Sequence, residues 1–496
     1  MNWIILLPVI LPLLGAVSLL CMRKWLYRQS LRLGTVCTVA GTFLAVLAVV
    51  LSDDAAFTVM TIMPGLPVYF HADGLAKLFA VLTVTMWLLS TVFSFAYMNH
   101  EEREESYQTF SLLSLAALLG VCFSGNLLTT YLFYEMMTLA TFPLVLHEQT
   151  KEAVSAGLTY LFYSIAGAFL GLVGIFFLFA NASEGSRAGG TLGYVAGGFL
   201  AENVNTDALL VIVFLMLVGL ACKAGMFPLH GWLPKAHPVA PAPASALLSG
   251  NITKMGVLFT VRVIFYSVGP QVLAGTWVQK TLLALSLTTV FLGSMLAFRE
   301  KMFKKRLAYS TVSQVSYCLT GIYMMTGVTL TGALMHVVFH SIIKNLLFLS
   351  AGAVICTTGR KKVEELNGIG KKMPVTMWCF TLGGLALVGI PPMSGFISKW
   401  YLATGALHSG LPVYEYLVPV ILLISALLTA GYLLTITADA FFGRCEEDSA
   451  RVSKSALMLI PLILLAALAL YFGLFPKALS QFITDFLKEI PFLTGI

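Results

Sequence analysis

Residues 330–356 read LTGALMHVVFHSIIKNLLFLSAGAVIC, an apolar run broken only by His336, His340 and Lys344 among its basic side chains. About 20 apolar residues suffice for a helix to cross the hydrocarbon core of a bilayer, so this run is long enough to span one. The three basic residues recur at i, i+4 and i+8, which on a helix stacks them along one face. A lone histidine here would read as a satisfied core residue. Three titratable groups in a row across an apolar span read as a proton relay.

The same texture repeats outward from this segment. Of the 496 residues, 58% are hydrophobic and 11% charged, with a mean hydropathy of +0.89. A soluble domain carries about 25% charged residues. So little charge cannot cover a water-facing surface, which excludes a nucleic-acid binder, a soluble enzyme and a disordered scaffold. Apolar runs place candidate spans near 3–20, 31–51, 74–98, 108–124, 127–146, 153–180, 207–229, 244–267, 280–298, 306–324, 330–356, 373–407, 416–442 and 455–475. The expected fold is therefore an all-α polytopic membrane protein of about fourteen transmembrane helices, a single membrane domain over 1–496. The run 373–407 is too long for one straight span and contains Pro391-Pro392. The tail 478–492 suits a short amphipathic helix at the interface. No positive charge precedes the first apolar run, so a retained first helix is expected rather than a cleaved signal peptide.

Of the thirty Lys and Arg residues, twenty fall in loops on one side and four on the other: Arg187, Lys280, Lys477 and Lys488. Six lie within spans: Lys77, Lys223, Lys254, Arg262, Lys344 and Lys399. The positive-inside bias puts the clusters Arg299–Arg306 and Arg360–Lys372 in the cytoplasm, and both termini on the outer side of a prokaryotic cell membrane. The eight cysteines show no CxxC and no Cys/His spacing that suits a metal. Cys122, Cys222, Cys318 and Cys379 read as small buried hydrophobes. No haem, iron–sulfur or zinc site, and no other cofactor, is expected.

A charge at the bilayer centre costs roughly 2.5–3.5 kcal/mol, so each deep one needs a partner or a wet cavity. Lys77, Arg262 and Asp439 lie near span ends and can reach the interface. Glu135, in TTYLFYEMMTLATF, is the only carboxylate well inside a span. Lys223, Lys254, Lys344 and Lys399 are equally deep, and one acid with four lysines reads as a pathway rather than as packing. On the tenth span Ser310, Thr311, Ser313, Gln314, Ser316 and Tyr317 could hold water or join helices, since Ser and Thr do both.

Two stretches echo each other. Gly225-Met-Phe-Pro228-Leu-His230-Gly231-Trp-Leu-Pro-Lys235 aligns with Gly389-Ile-Pro391-Pro392-Met-Ser-Gly395-Phe-Ile-Ser-Lys399, with Gly, Pro, Gly and Lys at the same offsets. Both interrupt an apolar helix, and they sit five spans apart. This predicts helix breaks at Pro228, Gly231, Pro391, Pro392 and Gly395. It also predicts two five-helix repeats, 108–267 and 280–442, between N-terminal helices (1–98) and a last helix with its tail (455–496). Repeats with an odd number of helices must be inverted, as in many secondary transporters whose broken helices line the ion site. The freed backbone is tolerable only against protein or water.

Taken together, Phe70-His-Ala-Asp-Gly-Leu75, Phe133-Tyr-Glu135, Lys223 through Gly256, Lys305 through Gln314, His336 through Gly352 and Gly389 through Trp400 resemble a known family. It comprises the antiporter-like subunits shared by respiratory complex I, the Mrp-type sodium/proton antiporters and membrane-bound hydrogenases. The resemblance covers essentially the whole chain, with the motifs in the family's order. It implies proton translocation along a central hydrophilic axis. Glu135 resembles the family's helix 5 glutamate, Lys223 the helix 7 lysine paired with it, and Lys254 the helix 8 relay. His336, His340 and Lys344 resemble the helix 11 relay, and Lys399 the terminal lysine of helix 12. Glu135 and Lys223 are thus expected to meet midway through the bilayer.

One departure concerns the inner mouth. The family often places an acid after Leu-Pro in the helix 7–8 connection, where this chain has Lys235. His230, Lys235 and His237 are the candidate inner mouth, although the histidines also read as exposed loop residues. A helix 12 lysine matches Mrp D-like and complex I N-like or L-like members, without the long lateral helix of the largest complex I subunit. The implied partners are other membrane subunits, protons and the bilayer, with no nucleic acid. Sodium, if exchanged, is expected elsewhere in the complex, because one carboxylate among lysines cannot supply several oxygen ligands. Three readings stay open: a translocating subunit of such an antiporter, redox pump or energy-converting hydrogenase; a stand-alone secondary transporter; and a quinone-binding anchor. No redox, flavin or quinone chemistry is visible in the chain itself.

Overall fold

The computed structural model describes residues 2–22, 27–52, 55–63, 65–444 and 455–493. Of the basic loop residues, Arg23, Lys24, Arg451 and Lys454 lie outside the described residues. The apolar runs form helices α1 (Leu7–Met22), α2 (Arg28–Leu51), α3 (Gly74–Tyr97), α4 (Glu104–Phe123), α5 (Leu127–Val145), α6 (Lys151–Ala180) and α7 (Thr206–Ala224). A short helix, Leu233–Val239, leads into α8 (Ala242–Val268). Then come α9 (Trp277–Arg299), α10 (Phe303–Tyr323), α11 (Gly327–Thr358), α12 (Pro374–Val388), α13 (Ser394–Leu407), α14 (Tyr414–Phe442), α15 (Ala456–Leu474) and α16 (Lys477–Leu487). Among the described residues, 11 helices are long and apolar enough to cross a membrane. The chain is an all-α polytopic membrane protein.

Its outer surface is that of a bilayer-embedded body. Leu158, Phe162, Ile165, Phe169, Val173 and Phe176 form an exposed apolar stripe along α6, with Phe162 72% exposed. At the centre, every residue of α11 from Thr329 through Val354 is buried, as expected of a helix surrounded by others. Glycines let α6 and α7 cross closely: a Cβ on Gly219 would stand 2.4 Å from the Gly167 carbonyl oxygen. Gly219→Ala is therefore expected to cost about 1–3 kcal/mol through forced separation of the two helices; a lowered thermal midpoint of the purified protein would register it.

Two ends are distinguished by their loops. At the basic end Phe303 N–H donates to Lys361 O at 2.9 Å and Gly368 N–H to Asp439 O at 3.0 Å, while Arg28 and Arg32 both bind Glu104. At the far end lies a feature absent from the sequence reading, an antiparallel hairpin of β1 (Ala56–Met63) and β2 (Leu66–His71). Gly125 N–H donates to Tyr69 O, tying the hairpin to the start of α5. Helix α16 packs there too, with Ile483, Phe486 and Leu487 buried.

The two echoing stretches share a backbone construction. Helices α7 and α12 each end on a left-handed glycine, Gly225 (φ +77) and Gly389 (φ +89). The next amide donates back five residues, Met226 to Ala221 O at 3.0 Å and Ile390 to Leu385 O at 3.2 Å, the bond that closes a Schellman cap. Pro228 and Gly231 lie between α7 and the short helix, Pro391 and Pro392 between α12 and α13, and Gly395 in the first turn of α13.

Arg262 corrects an expectation. Instead of reaching the interface it is 2% exposed and bound by both guanidinium nitrogens to Asp73, at 2.5 and 2.8 Å. Tyr194 and Tyr266 stack on it, with ring centroids 4.7 and 5.1 Å away. A guanidinium this deep needs such a partner set. Lys77 remains near its span end, donating to Ser52 O at 3.0 Å.

Candidate proton axis

The deepest basic residues converge on α11. Helix α8 widens into π-type turns at Leu248–Ile252 and at its end, Ile264–Val268, and the first is the kind of local expansion often found at functional sites. Just after it Lys254, fully buried, donates to Ser249 O at 2.5 Å and sits 2.6 Å from His340 Nδ1. The His340 ring stacks on His336 at 5.7 Å, and His336 on Tyr317 at 5.4 Å. His336 Nδ1 also meets Ser398 Oγ at 2.9 Å. Lys399 Nζ lies 5.2 Å from the Tyr317 ring and donates to Leu387 O at 2.6 Å and Val388 O at 2.9 Å. Those carbonyls are free because α12 stops there.

Lys344, one turn from His340 on the same face, donates to Leu307 O at 3.0 Å and to Ser310 Oγ. A run of protonatable groups thus extends from Lys399, which is partly buried, through Tyr317, His336, His340 and Lys254, all buried, with buried Lys344 beside it. His336 Nε2, His340 Nε2 and both side-chain polar atoms of Gln314 have no hydrogen-bond partner among the described residues. Buried polar atoms are ordinarily satisfied, so these orphans mark the axis as polar space.

Lys223 and Glu135 depart from the expected contact. Among the described residues no ion pair joins them; Lys223 Nζ donates to Thr138 Oγ1 and lies over the rings of Tyr134 and Tyr160, at 4.8 and 5.6 Å. Glu135 is only partly buried, with one carboxylate oxygen buried and unpartnered among the described residues. Its neighbour one turn on, Leu139, is 65% exposed. The azimuth explains this: 135 and 139 share the outward flank of α5, while Thr138 faces α7. Among the described residues Lys223 makes its hydrogen bond to Thr138 and Lys254 makes its own to Ser249, Thr253 and His340, so the run is interrupted between the two lysines.

The connection after α7 divides the mouth candidates. Lys235 is exposed and His230 partly buried. His237 is completely buried, stacked on Phe348 at 4.8 Å, with neither ring nitrogen partnered among the described residues; the exposed-loop reading is wrong for it. The echo between the two breaks also ends at the lysines. Lys399 folds back onto the freed carbonyls of its break, whereas at the first break Trp232 Nε1 takes Cys222 O at 2.9 Å and Lys235 points away. The polar run on α10 splits between roles: Ser310 and Thr311 face the axis, Thr311 bonding Ser249 at 2.7 Å, while Ser313 joins α10 to Ser294 and Ser425. Thr138, Ser249 and Ser398 were missed in the sequence, since nothing in a lone Ser or Thr singles it out. Among the described residues no three His, Cys, Asp or Glu side chains gather as a metal site.

The site is thus a helical membrane bundle with two broken helices around buried lysines and histidines. Residues 124–429 match the family described as NADH:quinone oxidoreductase/Mrp antiporter, TM, and the chain belongs to that family. It is 31% identical to NADH-quinone oxidoreductase subunit N of Desulforudis audaxviator (strain MP104C), over 88% of this chain and 90% of that protein. It is 28% identical to the D-type Na(+)/H(+) antiporter subunit of Bacillus subtilis (strain 168), over 97% of this chain and 96% of that one. One chain of the Mrp complex from Dietzia sp. DQ12-45-1b shares the fold with a TM-score of 0.84 at 22% identity, covering 99% of this chain and 98% of that chain.

Proposed function

We propose that this chain is the proton-translocating subunit of a multisubunit cation/proton antiporter or a complex I-like redox pump, carrying protons along Lys223, Lys254, His340, His336, Lys344 and Lys399. The observation that carries this reading is the direct Lys254–His340 contact at 2.6 Å, continued by the stacked His336. An ammonium and an imidazole at that distance can exchange one proton, and the unpartnered Nε2 atoms of His340 and His336 are the groups that would hand it on along α11 through water. No covalent or redox step is required of this chain. Other membrane subunits supply the driving force and any sodium site, in keeping with the multisubunit complexes that hold its relatives. Helices α5 and α10 and the α12–α13 pair complete fourteen spans with the 11 long ones. The matching caps at Gly225 and Gly389 support inverted repeats over 108–267 and 280–442, within one membrane domain. The basic end faces the cytoplasm of a prokaryotic cell, with both termini outside.

The scale is sufficient. Moving a charge through about 200 mV is worth roughly 4.6 kcal/mol, or about three orders of magnitude in proton affinity. Changes in solvation and in a nearby charge alter a buried lysine by that much. Rotation of Glu135 into contact with Lys223, displacing Thr138, is such a change.

Glu135→Gln removes that influence. In the purified complex reconstituted in proteoliposomes it is expected to lower proton movement about tenfold, the size of a typical coupling between sites. An undiminished rate would remove Glu135 from the pathway. Proton movement by the chain reconstituted alone would favour a stand-alone transporter.

A further inference from the structure

The position after Leu233-Pro234 holds an exposed lysine, so the entrance of the pathway proposed above has to be built from other parts of the chain. At the basic end a recess of about 190 Å³ is lined by Glu101 and Glu148 with Tyr97, His100, Lys304 and Lys361. The two acids come from separate connections, α3–α4 and α5–α6. Lys304 lies at its inner wall, only 8% exposed, donating to Ala240 O at 2.6 Å and Pro238 O at 3.3 Å. Those carbonyls lie one and three residues after His237. The His237 ring stacks on Phe348, one turn beyond Lys344 on α11, and Lys344 Nζ lies 5.9 Å from the same Phe348 ring. The recess, Lys304, His237 and Lys344 therefore form a descending series that joins the axis at Lys254 and His340.

We propose that Glu101 and Glu148 are the groups that take up protons from water at the basic end and pass them by way of His237 to the axis. The inference rests on the proton-pathway reading. A carboxylate oxygen accepts the proton from hydronium, and His237, whose two nitrogens have no hydrogen-bond partner among the described residues, receives it and releases one towards Lys344; charge is carried inward and no other bond changes. Two acids in one recess hold a shared proton better than either alone. Burial and the neighbouring Glu148 hold the Glu101 carboxyl above the usual range, against the pull of Lys304, a hydrogen bond from Tyr97 and the charge of Lys361. Lys304 keeps the acids from trapping the proton.

In the assembled complex in proteoliposomes, E101Q/E148Q is expected to lower proton uptake from the basic end at neutral pH by about tenfold or more. Acidifying that side, or adding a small mobile buffer there, should restore the rate, and E101D/E148D should retain it. An unchanged rate, or a loss that neither acid nor buffer relieves, overturns the proposal. Glu148 is exposed, so E148Q alone tests the same point without disturbing assembly. Removing its charge lowers the Glu101 carboxyl and moves the uptake midpoint to lower pH; an unmoved midpoint also overturns the proposal. Lys254→Met separates the two levels: if it stops transport while E101Q/E148Q runs at full rate, only the entrance is wrong, and if it too transports, the axis is.

Discussion

Lys254→Met is expected to stop proton movement through the assembled complex, a loss of about 100-fold or more, while leaving the complex intact. Lys254 is the residue on which the run converges: it meets His340 at 2.6 Å and Ser249 O at 2.5 Å. Methionine fills a similar volume and needs no partner in an apolar interior, whereas an ammonium there must be matched by hydrogen bonds. The fold therefore tolerates the change and the proton path does not. Lys254→Arg sharpens the test. A guanidinium keeps the charge but does not give up its proton in proteins, so transport should fail as completely as with methionine. Transport rescued by arginine would assign Lys254 a fixed electrostatic role, and near-normal rates with methionine would remove it from the path.

Arg262→Ala is expected to be the most damaging change to stability, costing about 3 kcal/mol because it leaves Asp73 with an uncompensated charge in a partly buried setting. Asp73 has two duties: it caps α3 by accepting from Ala76 N–H at 2.8 Å, and it holds Arg262. The loss should appear as a lower thermal midpoint of the detergent-solubilised complex and lower abundance in membranes. Adding Asp73→Asn to Arg262→Met should recover much of it, since an asparagine still caps the helix and no charge remains unpaired. If the single and double variants are equally unstable, the ion pair is not what Arg262 contributes.

Much of the fold could be read directly. Long apolar runs and the scarcity of charge leave few alternatives, and the spacing of His336, His340 and Lys344 placed them on one face because helical periodicity is rigid. What escaped the reading was whatever depends on azimuth or on a distant partner. Glu135 and Lys223 stand on facing helices, but sequence does not tell that Thr138, rather than Glu135, is turned towards the lysine. Arg262 resembled an interfacial residue because its carboxylate lies 189 positions away in the chain. The hairpin at Ala56–His71 is short, and pairing between two brief strands leaves little pattern. His237 looked like loop because it falls among prolines, yet it sits in the short helix Leu233–Val239, turned inward. Side-chain charge was legible; the orientation of main-chain oxygens was not.

The two carbonyls that hold Lys399 bear on how this site can drift over generations. A carboxylate anchor disappears with one codon, but an anchor made of peptide oxygens belongs to no particular residue identity. Leu387 and Val388 could become other apolar residues and still offer the same oxygens to the ammonium. What would dislodge it is an insertion or deletion that shifts the point where α12 stops, and related chains should therefore vary in letters there while keeping the count.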